Sequence, residues 1–359
     1  MPKVIAFYLP QYHEIPENNK WWGKGFTDWV NVKKAKPLFK GHYQPREPLN
    51  DNYYDLSDVN VMKWQANLAK EYGIYGFCYY HYWFNGKKLL EKPLENMLKD
   101  KEVDIPFCLC WANEPWSRTW DGREHDVLMP QKYGGKEEWK KHFDYLIQFF
   151  KDDRYIKIDN KPMFLIYRTE HIPNVNEMVK YWNKLAIENG FNGIYLVEML
   201  TGFQDIPFVD SSSAVVEFEP NYTLRLYTKH KIRYLPYRIR NKIIKIINKA
   251  HIISMDYDIV WQMMLRRKTK KFSNKEHFLG AFVNWDNTPR KGTRGSVFIN
   301  FSPEKFDKYF KLQFEKAKTM KSKFLFINAW NEWAEGTYLE PDKKFKYSYL
   351  EVIKDTVNF

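Results

Sequence analysis

At 359 residues the chain has room for two ordinary domains or for one large α/β barrel with insertions, so the pattern and not the length must set the domain count. A hydrophobic share of 44% is enough for a large core, and 18% aromatic residues leave room for a cleft of flat stacking surfaces beside that core. The formal charge of +13 admits acidic partners without choosing among them, while the three cysteines, Cys78, Cys108 and Cys110, sit in apolar runs without the CxxC spacing of a zinc or redox site.

Met1, Pro2 and Lys3 lead directly into the apolar run Val4 to Leu9, too short for a signal peptide, and no run of 18 apolar residues follows. The expectation is a cytoplasmic protein without a spanning helix, its cysteines reduced in the core. Strand-like runs rich in Val, Ile, Phe and Tyr recur at about 3–9, 74–83, 105–112, 162–167, 193–199, 214–218, 278–285 and 323–330. Helical periodicity is predicted near 57–72, 91–100, 136–151, 175–189, 257–268, 303–320 and 344–356. Ser302 followed by Pro303 marks one helix start as a cap with proline at the first position.

Eight strands alternating with helices, and no GxGxxG after the first, predict a closed (β/α)₈ TIM barrel spanning 1–359 as a single domain. Two stretches exceed a minimal barrel. Residues about 10–56, with Trp21, Trp22 and Trp29, read as an aromatic substrate loop. Residues about 220–256 read as a basic amphipathic insertion. Within it, Lys229 to Lys249 holds eight Lys or Arg and no acid, with Ile239, Ile243, Ile246 and Ile247 at helical spacing. This segment is either a solvated face packed on the barrel or a surface helix for anionic membrane, which would place the protein at the periphery of the inner membrane. No nucleic-acid motif accompanies the charge, so no nucleic-acid partner is expected.

A barrel carries its active site on the loops after the strand C-termini. The residues falling there are Tyr8, Gln11 and His13; Tyr80, His81, Tyr82 and Trp83; Trp111, Asn113 and Glu114; Arg168 and Glu198; Glu217 and Glu219; and Trp285 and Asp286. Glu332 and Glu335 follow the eighth strand, flanked by Trp330, Asn331 and Trp333. Breaking or moving a glycosidic bond takes two carboxyl groups on one centre. If the chain turns helically there, residues three apart share a face with Cβ atoms about 5–6 Å apart. Isolated Glu-x-x-Glu pairs are common on solvated helices; the strand-end position in a Trp-rich run sets this one apart. Asn113 and Glu114 could orient a substrate hydroxyl or satisfy loop amides, Glu217 and Glu219 could enter the cleft or pair with the basic segment, and Trp22, Trp83 and Trp111 could be platforms or core.

The stretches Ile5 to His13, Trp21 to Trp29, Gly76 to Phe84, Cys110 to Glu114 and Asn328 to Thr337 resemble the WbsX family of bacterial surface-polysaccharide loci. That family is similar to glycoside hydrolase family 99, retaining endo-acting α-mannosidases and mannanases on a (β/α)₈ barrel. The resemblance implies that Glu332 takes the proton of a sugar 2-hydroxyl, giving a 1,2-anhydro intermediate, and that Glu335 is the general acid/base. The implied partner is an oligo- or polysaccharide, with hydrolysis or transglycosylation within an O-antigen, capsule or exopolysaccharide. No cofactor and no metal are expected. The competing readings are a glycosyltransferase, for which Asp256-Tyr257-Asp258 is the lone Asp-x-Asp, better read as a helix cap, and a carbohydrate-binding protein without catalysis.

Overall fold

The structure, a computed structural model, describes residues 1–118, 123–232, 234–247 and 253–358. Eight strands form its centre: β1 (Lys3–Tyr8), β2 (Ile74–Phe84), β3 (Phe107–Trp111), β4 (Lys161–Ile166), β5 (Tyr195–Leu200), β6 (Ala214–Glu217), β7 (Glu276–Phe282) and β8 (Phe324–Asn328). Each pairs in parallel with its neighbour in the chain, and β1 pairs with both β2 and β8, so the sheet closes into a (β/α)₈ barrel. Both faces of such strands are covered, which is why they read as nearly unbroken apolar runs and not as alternating ones.

The alternation survives in where the side chains point. Phe7 faces the barrel axis, with ring centroids 5.8 Å from Tyr80, 5.4 Å from Phe218 and 5.6 Å from Phe326. Its neighbour Tyr8 points out to the helix layer, where its hydroxyl donates to Gln65. Gly280 marks a close approach inside: a Cβ there would lie 2.0 Å from the Glu217 carbonyl, so β6 and β7 could not keep their spacing with any other residue.

The segment between β1 and β2 holds α1 (Pro16–Trp22), α2 (Asp28–Lys34) and α3 (Val59–Glu71), and α4 (Lys92–Lys99) follows β2. After β3 comes α5 (Lys136–Phe150), and after β4 comes α6 (Val175–Glu188). Helix α5 buries Trp139, His142, Phe143, Leu146, Phe149 and Phe150, the stripe that a helix lying on a barrel presents. A loop, residues 201–213, joins β5 to β6 with no helix. Among the described residues three helices follow β6: α7 (Asn221–Lys229), α8 (Leu235–Ile247) and α9 (Tyr257–Arg266). Residues 233, 248 and 249 of the basic stretch lie outside the described residues. Asp256 caps α9 by accepting from the Ile259 amide, as its position before the helical pattern predicts. After β7 come α10 (Thr288–Lys291) and α11 (Pro303–Thr319), the latter capped by Ser302, and α12 (Ser348–Val357) closes the chain after β8.

Candidate active site

The loop after β8 turns sharply and is pinned on all sides. Asn331 and Glu332 pair with Tyr338 and Thr337 in a two-residue antiparallel ribbon, and Trp333–Glu335 forms one 3₁₀ turn between them. The Asn331 amide grips the backbone of Leu9 at both ends, accepting from its N–H at 2.8 Å and donating to its carbonyl at 3.0 Å. The Tyr12 hydroxyl donates to the Asn331 carbonyl and accepts from the Trp333 amide. Gly336 ends the turn at φ 62°, where a Cβ would meet Asp286 at 2.8 Å and the Arg46 guanidinium at 2.9 Å, so glycine is required for both backbone and space. Trp333 stacks on Tyr338 with centroids 3.8 Å apart, and its indole N–H donates to the buried Glu340. Fixed this way, Glu332 and Glu335 both line one open cleft of about 580 Å³ at the mouth of the barrel.

Every other wall of the cleft also follows a strand C-terminus. Gln11 comes from β1, Tyr80 and Tyr82 from β2, Glu114 and Trp116 from beyond β3, and Tyr167 from beyond β4. Phe218 and Arg225 follow β6, and Trp285 and Arg290 follow β7. The Gln11 amide donates to the Tyr82 hydroxyl at 3.3 Å. Arg290, on α10, ties the centre together. Its Nη1 donates to Glu335 at 2.7 Å and its Nη2 to Glu332 at 2.8 Å and to Asp28 at 2.5 Å. One planar guanidinium thus holds three carboxyl groups from two distant parts of the chain, Asp28 on α2 and the Glu332–Glu335 turn.

Burial pushes the Glu332 carboxyl up to about 8; Arg290 pulls it down, but Glu335 and Asp28 nearby add to the rise. Glu332 therefore gives up its proton only close to that value. Burial by itself would lower Arg290, yet the three carboxyl groups around it hold it well above its ordinary value, so it stays charged.

The family model described as Glycosyltransferase WbsX matches residues 4–353. The chain belongs to the WbsX family. It is 36% identical to the uncharacterized protein WxcX of Xanthomonas campestris pv. campestris strain ATCC 33913, over 366 aligned positions that cover 99% of this chain and 49% of that protein. The chain thus spans about half the length of the curated relatives it matches. Among solved structures it is similar to the GH99 endo-α-mannosidase of Bacteroides thetaiotaomicron, with TM-score 0.57 and 13% identity over 99% of this chain and 96% of that one. The same enzyme in complex with bis-tris propane gives a TM-score of 0.59, with 100% and 97% covered. At this identity the likeness is one of fold.

Several residues expected on the cleft of this WbsX-family barrel stand elsewhere, mostly through strand parity. Tyr80 and Tyr82 face the cleft, so His81 and Trp83 face α5: His81 contacts the His142 ring nitrogen at 2.9 Å, and Trp83 stacks on the same ring and donates to Glu138. Burial in that layer holds His81 down to about 3. Trp111 packs edge-on against His142 and donates to the Trp83 carbonyl. Tyr8 is outward on β1, and His13 is buried beyond the cleft lining. Trp22 lies with Arg118 over its ring and does not line the cleft; its neighbour Trp21 reaches the cleft residue Trp116 edge-on. Asn113 satisfies loop backbone, bonding both the N–H and the carbonyl of Arg168, while Glu114 beside it lines the cleft and pairs with the Arg168 guanidinium.

Four carboxyl groups prove to be buried anchors. Glu198 accepts from Thr169, Gln204, Ser212 and the Phe208 and Val209 amides, which fastens the loop between β5 and β6. Glu217 and Glu219 pair with Arg267 at 2.5 and 2.6 Å, not with the basic segment, and neither enters the cleft. Asp286 accepts from Gln44 and Thr288 and contacts His42 at 2.8 Å. Trp330, Asn331 and Trp333 are likewise the buried support of the turn that bears Glu332 and Glu335, whereas Trp285 does reach the cleft. Arg290, Asp28 and Glu340 were absent from the sequence-based expectation. Two acids side by side, one of them buried, imply some counter-charge, but spacing alone gives no hint of which one.

Proposed function

We propose that this chain is a carbohydrate-active enzyme that cleaves or transfers a glycosidic bond within a bacterial surface polysaccharide, with retention of configuration. The observation carrying this reading is the pair Glu332 and Glu335 on one 3₁₀ turn at the barrel mouth, both bound to the Arg290 guanidinium and both facing a cleft walled by Tyr80, Tyr82, Trp116, Tyr167 and Trp285. Aromatic rings with hydroxyl and indole N–H groups suit sugar rings, which offer apolar faces and polar rims. The family description and the fold neighbour, a glycosyltransferase and an endo-α-mannosidase by their descriptions, both support carbohydrate chemistry.

In the mechanism favoured, ionised Glu332 removes the proton of the sugar 2-hydroxyl, whose oxygen attacks the anomeric carbon and forms a 1,2-anhydro sugar. Glu335 protonates the departing glycosidic oxygen and then, as a base, activates water or an acceptor hydroxyl to attack the anomeric carbon, while Glu332 returns its proton to the 2-oxygen as the anhydro ring opens. A carboxylate pushed to about 8 is a stronger base than an ordinary one, and its proton is lost close to working pH. The same raised value would also suit a general acid, which is the observation behind a second reading with the two roles exchanged. The leaving group separates them. The acid's Gln variant should regain glycosylation with a dinitrophenyl glycoside, which needs no proton, and the base's Gln variant should not. If Glu335→Gln stays active on the native glycan, neither assignment stands.

The nucleotide-sugar transferase reading finds less support. Asp256 is occupied by the Ile259 amide and Asn300, and Asp258 by Lys305 and Tyr309, so neither is offered to a diphosphate-bound cation in the cleft.

A further inference from the structure

Helix α8 presents an unusual surface. Its Tyr234–Tyr237 side holds it to the barrel: Tyr234 is buried, Tyr237 packs against the core, and Arg240 donates to Gln262 of α9. Leu235, Ile239 and Ile243 recur every four residues and so form one row along the helix. That row is open to solvent, at 52%, 55% and 53% exposure, and Ile232 just before the helix is 91% exposed. The apolar stripe that the sequence pattern would tuck against the barrel is therefore its outer face. Cations surround it. Lys229, Lys231, Arg240 and Lys242 are exposed and Arg238 half-buried, and no acid occurs between 229 and 249.

We propose that α8 and the turn before it dock on an anionic lipid bilayer, with Ile232, Leu235, Ile239 and Ile243 entering the headgroup boundary and the flanking Lys and Arg side chains binding lipid phosphates. An exposed aliphatic row within a purely cationic helix fits a surface that is apolar inside and negative at its rim. A second copy of the chain would set like charges against like. Nucleic acid would match the charge but leave the aliphatic row in water. Among the described residues no helix is long and apolar enough to cross a membrane, so attachment would be at the surface. Helix α7, which leads directly into this turn, lines the cleft with Asn221, Leu224, Arg225 and Thr228. Docking would thus hold the cleft beside the bilayer; if the glycan reading above is right, a lipid-linked glycan is the substrate this placement serves.

The test is sedimentation of the full chain with vesicles of phosphatidylcholine alone or mixed with phosphatidylglycerol, at low and high salt. Binding is expected to the anionic vesicles only and to weaken at high salt, where surface charges are screened. Replacing Lys231, Arg238, Lys242 and Lys245 together by Gln should weaken it by more than about tenfold. Ile239→Ser with Ile243→Ser should weaken it too while leaving the melting temperature unchanged, because neither side chain is packed. Equal binding to both vesicle types, no binding to either, or no effect of the serine pair would overturn the proposal. So would ultracentrifugation showing a dimer that the serine pair dissolves, or tighter capture by RNA than by anionic vesicles. None of these readouts requires catalytic activity, so failure here would leave the assignment of Glu332 and Glu335 untouched.

Discussion

Replacing Arg290 by Met should make the protein's stability depend strongly on pH. Arg290 is only 8% exposed at its side chain, and it makes bonds of 2.5 to 2.8 Å to Asp28, Glu332 and Glu335. Removing one partner from a buried ion pair costs about 3–5 kcal/mol, since the remaining charge is left without compensation. Here three carboxyl groups lose their common cation, and the folded state can relieve this only by holding protons. Arg290 lowers the Glu332 value, so without it Glu332, already at about 8, should move higher still. A group whose folded value exceeds its unfolded value contributes stability at low pH that is lost as pH rises through the folded value. Both proteins hold the Glu332 proton below about 8, so the variant's loss, about 3–5 kcal/mol at most, should grow as pH rises past that value and be larger near about pH 9.5 than near about pH 7. Urea denaturation at both pH values measures it, and carbon-13 NMR of labelled glutamate, assigned through Glu332→Gln, follows the carboxyl itself. An equal loss of stability at both pH values, with the Glu332 resonance titrating as in the unmodified protein, would refute the argument.

Glu332→Gln and Glu335→Gln should each abolish turnover while leaving stability within about 1–2 kcal/mol near pH 5, because neither side chain carries the fold. Since Glu332 holds its proton up to about 8, Glu332→Gln should become progressively more stable than the unmodified protein as pH rises through that value, which thermal melts across the range will reveal. Glu340→Ala should destabilise by about 2–4 kcal/mol and lower kcat without contact to substrate, because Trp333, Tyr54 and Gln65 each lose the acceptor that fixes the turn bearing Glu332 and Glu335; urea melts and steady-state kinetics test both parts. Turnover should survive EDTA, because among the described residues no cluster of three or more His, Cys, Asp or Glu could hold a metal ion; loss restored by Mn²⁺ would favour the transferase.

Strand and helix positions were largely legible because burial on both strand faces and on one helix stripe writes itself into residue type. The eighth strand, expected at 323–330, ends at Asn328, and the last helix, expected from 344, starts at Ser348. The turn before that helix is held by Asp342, which takes the Phe345 amide and the Tyr338 and Tyr43 hydroxyls, none of which periodicity reveals. Of the residues that strand-end position pointed to, Gln11, Tyr82, Glu114, Trp285 and the paired glutamates line the cleft. It could not tell Tyr82 from His81, because aromatic residues fill both faces of β2 and the in-or-out phase leaves no mark on composition. Nor could it find Arg290 and Asp28, which lie 262 residues apart and meet only through closure of the barrel.

The most direct test of the proposed glycosidic chemistry is a proton-NMR time course of the unmodified protein with bacterial surface polysaccharide, reading the anomeric configuration of the first product before it mutarotates. The Glu332 and Glu335 assignment predicts a product of retained configuration, formed without any nucleotide sugar and absent with Glu335→Gln. An inverted first product, or turnover that begins only on adding a nucleotide-sugar donor, would contradict it.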